Sequence, residues 1–114
     1  MRRLKVRYRP EALADLEDIF RVVLHLSSNQ ITAERFVDRI RRRCRRIGNV
    51  PLGSRARDDL EPGLRTAPFE HSAVIAYTVE DDCVRIVNIF YSGRDYEALY
   101  RNQEPAPESG EENT

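Results

Sequence analysis

GLRTAPFEHSAVIAYTVEDDCVRIVNIFYSGRD, residues 63–95, reads as three short strands joined by two tight turns. Residues 64–69 are the first expected strand, 72–79 the second and 83–91 the third. Val, Ile, Tyr and Phe dominate the last two, and such side chains fit a pleated, half-buried surface. Glu70-His71 and Glu80-Asp81-Asp82 supply the polar breaks. Connections this short join antiparallel neighbours. Arg65 stands in the first strand and Arg94 just past the last.

Everything upstream is suited to covering one face of this meander. Residues 4–8, LKVRY, alternate apolar and polar as a half-buried strand does. Pro10 ends that strand and suits a first helical turn, with Glu11 placed for the positive end of the helix dipole. The first helix is expected over 10–26, with Leu13, Leu16, Phe20 and Val23 as its apolar stripe and Ile19 and Leu24 widening it. Asp15, Glu17, Asp18 and Arg21 lie off the stripe. Ser27-Ser28-Asn29-Gln30 is a turn, and Thr32 is the expected N-cap of a second helix over 33–48, closed by Gly48. Ala33, Phe36, Val37, Ile40, Cys44 and Ile47 fall within an arc of about 100° on that helix, and Arg35, Arg39, Arg42, Arg43 and Arg46 fill a neighbouring arc. Two such helices joined by a short turn make an αα-hairpin. Residues 51–63 read as a loop of turn formers and charge.

The resulting order is β-α-α-β-β-β, a two-layer α+β domain in which the first strand crosses the hairpin to lie beside the last. At 114 residues the chain is one domain. That domain is expected over 1–101, with a short helix over 95–101. Residues 102–114, NQEPAPESGEENT, carry four glutamates and no large apolar residue, and they read as a disordered acidic tail.

Net charge is zero, yet the two halves differ: residues 1–57 hold 15 basic and 6 acidic side chains, residues 58–114 hold 4 and 13. Either the basic part packs near the acidic part, or it forms a face for an acidic protein or a nucleic acid. Cys44 and Cys83 share no metal-ligand spacing, the basic start runs into a strand without a long apolar region, and no apolar run approaches the ~18 residues of a membrane span. These features imply a cytoplasmic chain with two buried free thiols and no metal or organic cofactor.

Several local motifs, taken in order, resemble the ParE branch of the ParE/RelE superfamily of bacterial toxin–antitoxin toxins, often labelled plasmid-stabilisation proteins. Ala12-Leu13-Ala14-Asp15-Leu16-Glu17-Asp18-Ile19 is similar to the family's A-x-x-D-L-x-x-I first helix, and Ala33–Phe36 to the A-x-x-F opening of the second. Pro51-Leu52-Gly53-Ser54-Arg55 resembles its P-x-x-G-R loop, with one residue's offset in the middle. Gly63-Leu64-Arg65 resembles its G-x-R strand opening, Ala76-Tyr77-Thr78-Val79 its I-x-Y-x-V strand and Gly93-Arg94-Asp95 its closing G-R-x-D segment. The resemblance runs over residues 4–100. Where many members have a His ahead of the Gly-Arg, this chain has Phe90-Tyr91-Ser92.

The resemblance implies the toxin of a type II toxin–antitoxin system that acts on DNA gyrase, is neutralised by a ParD-like antitoxin in a hetero-oligomer, and touches nucleic acid only through the antitoxin or gyrase. On that reading Arg65, Tyr91, Arg94 and Asp95 meet the target, with Arg65, Tyr91 and Arg94 shaping the sheet's open face. The antitoxin takes Leu13, Leu16, Phe20 and Val23, not all of which the sheet uses, with Arg35, Arg39, Arg42, Arg43 and Arg46 beside them. Arg65 reads equally as an ion-pair partner of Asp58 or Asp59. The arginine strip reads first as a solvated helix face, then as the antitoxin's docking strip, and last as a nucleic-acid surface, because no aromatic residues interleave it. The RelE-like alternative is a ribosome-dependent mRNA endoribonuclease. It needs a base, an acid and cations for the phosphorane charge. Arg65, Tyr91, Arg94 and Tyr96 are the candidates, with Arg55 and Arg57 holding RNA. A third reading is an inactive toxin relative kept as an antitoxin-binding module.

Overall fold

The computed structural model describes residues 3–91 together with Glu97 and Tyr100. Arg94, Asp95 and Tyr96, most of the expected helix over 95–101 and the tail over 102–114 lie outside the described residues. The order is β1 (Lys5–Tyr8), α1 (Pro10–Ser27), α2 (Gln30–Asn49), β2 (Arg55–Ala56), β3 (Leu64–Phe69), β4 (Ala73–Val79) and β5 (Cys83–Tyr91). The strands form one sheet in the order β1-β5-β4-β3-β2. β1 runs parallel to β5, and the other pairings are antiparallel. The α+β architecture and the bounds of β3 and β5 follow the sequence reading. β2 does not: the loop over 51–63 contributes two residues that pair with Thr66 and Arg65.

The helices cover one sheet face. Ala12, Leu16, Ile19 and Val23 of α1 and Ala33, Ile40, Cys44 and Ile47 of α2 meet Ala67 and Phe69 of β3, Ala73, Ile75 and Tyr77 of β4, and Val84, Ile86 and Ile89 of β5. Strict alternation would send Ile89 to the face opposite Ile86. A register shift at Ala76/Tyr77, where Tyr77 faces Ile86 and Ala76 faces Asn88, lets both isoleucines join the core. Among the described residues the opposite face is covered more thinly. Leu64, Ala76 and Phe90 receive Tyr100, with Leu60 at the margin. The Tyr100 hydroxyl is buried with no hydrogen-bond partner among the described residues, and burial pushes its phenol up to about 12.

Three local expectations are corrected. The N-cap of α2 is Asn29, whose side chain accepts from the Thr32 backbone N–H at 3.0 Å. Gln30 and Ile31 therefore belong to the helix, and Ser28 closes α1 in the left-handed region (φ 54°). Gly48 does not end α2, which runs to Asn49; it is buried where the helix passes β1. A Cβ there would stand 2.5 Å from the Leu4 carbonyl oxygen, and the Leu4 N–H donates to the Gly48 carbonyl at 2.9 Å. The α1 stripe is turned so that Ala12 and Ile19 join Leu16 and Val23 in the core, while Leu13 is 45% exposed and Phe20 is half-buried.

No helix among the described residues is long and apolar enough to cross a membrane.

Candidate functional site

Two regions gather the candidate residues: the outer surface of the hairpin and the loop beside β3. On α1, residues 13, 20 and 24 stand about a quarter turn away from the core row 12, 16, 19 and 23 at 100° per residue. Leu13 is therefore exposed, and Phe20 and Leu24 lie partly buried against the core. Val22 and Leu26, on the other side of the core row from Leu13 at 100° per residue, and Ile31 at the start of α2 are also exposed, Leu26 the most at 73%. Leu16 and Val23 are core residues and present nothing outward, so of the four stripe residues Leu13 and Phe20 remain as docking candidates.

The arginine strip of α2 is partly used. Arg39 makes a bidentate pair with Glu70 at 2.8 and 3.2 Å and lies 5.2 Å from the Phe36 ring centroid. This pairing holds the β3–β4 turn, where Glu70 and His71 both take positive φ (48° and 57°). The Arg39 guanidinium keeps the Glu70 carboxyl below its ordinary range. Arg42 pairs with Asp38 at 2.7 Å, and Arg43 donates to the Pro68 carbonyl at 3.2 Å. Arg35 and Arg46 make no ion pair among the described residues.

Arg65 is neither on the open face nor paired with Asp58 or Asp59. It shares the helix-facing side of β3 with Ala67 and Phe69, and its Nη1 donates to the Ser54 carbonyl at 2.6 Å. The same loop is held from β4: the buried Tyr77 hydroxyl donates to the Pro51 carbonyl at 2.8 Å and meets the Ser54 hydroxyl. Asp58 instead accepts from the Gly63 N–H at 2.9 Å, where Gly63 turns into β3 at φ 80°. Asp59 belongs to Arg57. The Arg57 guanidinium is almost fully buried and binds Asp59 at 2.8 Å and Glu97 at 2.7 Å, tying the loop to the C-terminal segment. Those hydrogen bonds raise the Arg57 pKa and lower that of Asp59.

Tyr91 also faces the helices, packed edge-on to Phe36 with ring centroids 5.5 Å apart. Arg65 pairs across the sheet with Tyr77, and Tyr91 with Ala73, which in turn faces Phe69. The two are thus offset by four residues along the strands, about 13 Å. The fold does not bring the described members of the ribonuclease set together on one open surface. Arg94, Asp95 and Tyr96 lie outside the described residues.

Two residues that the sequence placed off the stripe or in a loop prove to be structural anchors. One is Arg57. The other is Asp15, whose Oδ2 accepts from the Ile89 backbone N–H at 2.8 Å and from Asn88 Nδ2 at 3.1 Å. β1 stops at Tyr8 opposite Ile86, so beyond that point β5 has no strand on this edge among the described residues, and Asp15 supplies the acceptor there.

A family profile described as ParE toxin of type II toxin-antitoxin system, parDE, matches residues 6–96. Among solved structures the chain is similar to one described as a chromosomal ParDE TA system from P. aeruginosa, at 21% identity and a TM-score of 0.68, covering 78% of this chain and 96% of that one. That likeness speaks for the fold. No curated protein sequence matches the chain.

Proposed function

The chain belongs to the ParE toxin family of type II toxin–antitoxin systems, and on that premise we propose that it inhibits DNA gyrase in the cytoplasm and is neutralised by a ParD-like antitoxin. The family match over residues 6–96 carries the reading. The side chains are consistent with a presented surface rather than a catalytic set, because Arg65 and Tyr91 are engaged in loop and core contacts.

The antitoxin docks on the hairpin. Leu13 and Phe20 offer it apolar contacts, and Arg35 with the neighbouring arginines of α2 suits acidic side chains on the same segment. The gyrase contact includes Arg94 and Asp95, with Arg65 acting by fixing the loop at residues 51–54. The pair forms a hetero-oligomer that represses its own operon through the antitoxin.

Induced expression in a gyrase-bearing host tests this. Growth should arrest with loss of negative supercoiling on a reporter plasmid, and co-expressed antitoxin should restore both. Arg65→Ala and Arg94→Ala should each weaken the arrest while antitoxin binding persists. Arrest with intact supercoiling and cleaved mRNA would replace gyrase with the ribosome as target. Unaffected growth would mark an inactive antitoxin-binding relative.

A further inference from the structure

The edge of the fold where α2 passes β1 carries Arg42 and Arg46 of the strip proposed for the antitoxin, together with charge that neither that strip nor the loop at residues 51–54 uses: Arg3, Lys5, Arg7, Arg41 and Arg45. Arg41 and Arg45 stand one turn apart on α2, as do Arg42 and Arg46, and together they form one wall of a groove of about 860 Å3. Arg3 and Lys5 line the other wall, and Arg7 stands exposed further along the strand. Among the described residues β1 is the outermost strand and pairs with β5 alone. Arg42 is bonded to Asp38, and Arg41 lies 5.4 Å from the Tyr8 ring centroid. Among the described residues no carboxylate lies within ion-pair distance of Arg3, Lys5, Arg7, Arg41, Arg45 or Arg46.

Six unneutralised cations on one edge repel one another. Charge on an edge strand protects it from pairing with other chains, which accounts for Lys5 and Arg7. It does not account for Arg41, Arg45 and Arg46, which stand on the helix.

We infer that this edge binds the phosphodiester backbone of double-stranded DNA, directly and without reading sequence. Guanidinium forks match phosphate oxygens, and the duplex presents charge continuously, so cations on two walls can engage together. A folded acidic protein would also need an apolar anchor to bind well. The apolar residues lining the groove, Leu4, Val6 and Tyr8, are half-buried, and the large exposed apolar residues among the described residues are elsewhere: Leu13, Val22, Leu26 and Ile31 on the hairpin, Val50 and Leu52 after α2. Single strands are disfavoured because no aromatic rings interleave the arginines as stacking platforms; the one ring in the groove, Tyr8, is half-buried beneath Arg41. The resemblance implied DNA contact only through the antitoxin or gyrase. This surface makes the contact the chain's own, and it is tested with neither present.

The test is fluorescence anisotropy of the full chain with a random-sequence DNA duplex two helical turns long, across a salt series. Engaging about five phosphates gives a log–log salt slope of about −4 to −5, and affinity falls roughly 10²–10³-fold between about 50 and 200 mM salt. Arg45→Glu with Arg46→Glu should weaken binding at least about tenfold and flatten the slope by about 2, while Arg45→Lys with Arg46→Lys retains most of it. Arg55→Glu, on β2 at the opposite sheet edge, should change neither quantity. Absence of binding at low salt, or an equal loss with Arg55→Glu, overturns the inference. So does polyglutamate competing better than duplex of equal charge, which would assign the edge to an acidic protein segment.

Discussion

Asp15→Ala should lower the stability of the fold by about 2–3 kcal/mol, because one carboxylate oxygen terminates the edge of β5. A hydrogen bond to an ionised group contributes about 1.5–3 kcal/mol, and a buried donor left without an acceptor costs about 1–3 kcal/mol. Asp15 accepts two such bonds, from the Ile89 N–H and from Asn88. Ile89 is 2% exposed, so water cannot replace its acceptor, whereas Asn88 is only half-buried and can turn to solvent. The loss is therefore dominated by one bond. At roughly 4–8 °C per kcal/mol for a domain of about 100 residues, the melting temperature should fall by about 10–20 °C. Asp15→Asn keeps an oxygen for the Ile89 N–H and should lose about half as much. Thermal melting followed by circular dichroism measures the drop, and amide hydrogen exchange locates it: Ile89 should lose protection first. A melting temperature for Asp15→Ala within about 3 °C of the parent, or equal losses for Ala and Asn, would refute the capping role.

Gly48→Ala should destabilise by about 1–3 kcal/mol in urea titration, because its Cβ would collide with the Leu4 carbonyl where α2 meets β1. Tyr77→Phe removes a buried hydroxyl bonded to Pro51 and should cost about 1 kcal/mol while making the loop at residues 51–54 easier to cleave by limited proteolysis. The Glu70, Glu80 and Asp59 carboxyls are held below their ordinary values of 4.5, 4.5 and 3.8 by hydrogen bonds from Arg39, Arg85 and Arg57. Depressed carboxylates stabilise above their unfolded pKa, so melting temperature should be flat above about pH 5 and fall as acid protonates them. The Cys44 thiol is buried, and burial pushes it up to about 11, so native protein should resist thiol reagents there until it unfolds.

Much of the fold was legible because short-range rules agreed with one another. Pro10 fixed the start of α1, the polar breaks fixed β3 and β5, and short turns fixed their antiparallel pairing. What escaped depended on contacts between distant elements. Asp15 has meaning only because β1 stops at Tyr8 and leaves the Ile89 N–H bare, a fact of length and register that α1 cannot reveal. Arg57 sits in a run of loop charge and gains its role from Glu97, forty residues on. Gly48 resembles a helix terminator until β1 is seen passing it. Arg65 alternates with Ala67 and Phe69 in β3, so period two alone places it on the apolar face. In the same way, 100° per residue separates Leu13 from the α1 core row once Ala12 and Ile19 are counted in it. Arg42 and Arg46 were visible within a strip on α2, but Arg41 and Arg45 stood outside it, and β1 as the second wall of a cationic groove was not visible.

The most direct measurement of the central claim is DNA supercoiling by purified gyrase as the full chain is titrated in, with and without its antitoxin. Dose-dependent loss of supercoiling is the expected result, with supercoiling restored when the antitoxin occupies the hairpin. Unimpaired supercoiling at a large molar excess of folded chain would contradict it.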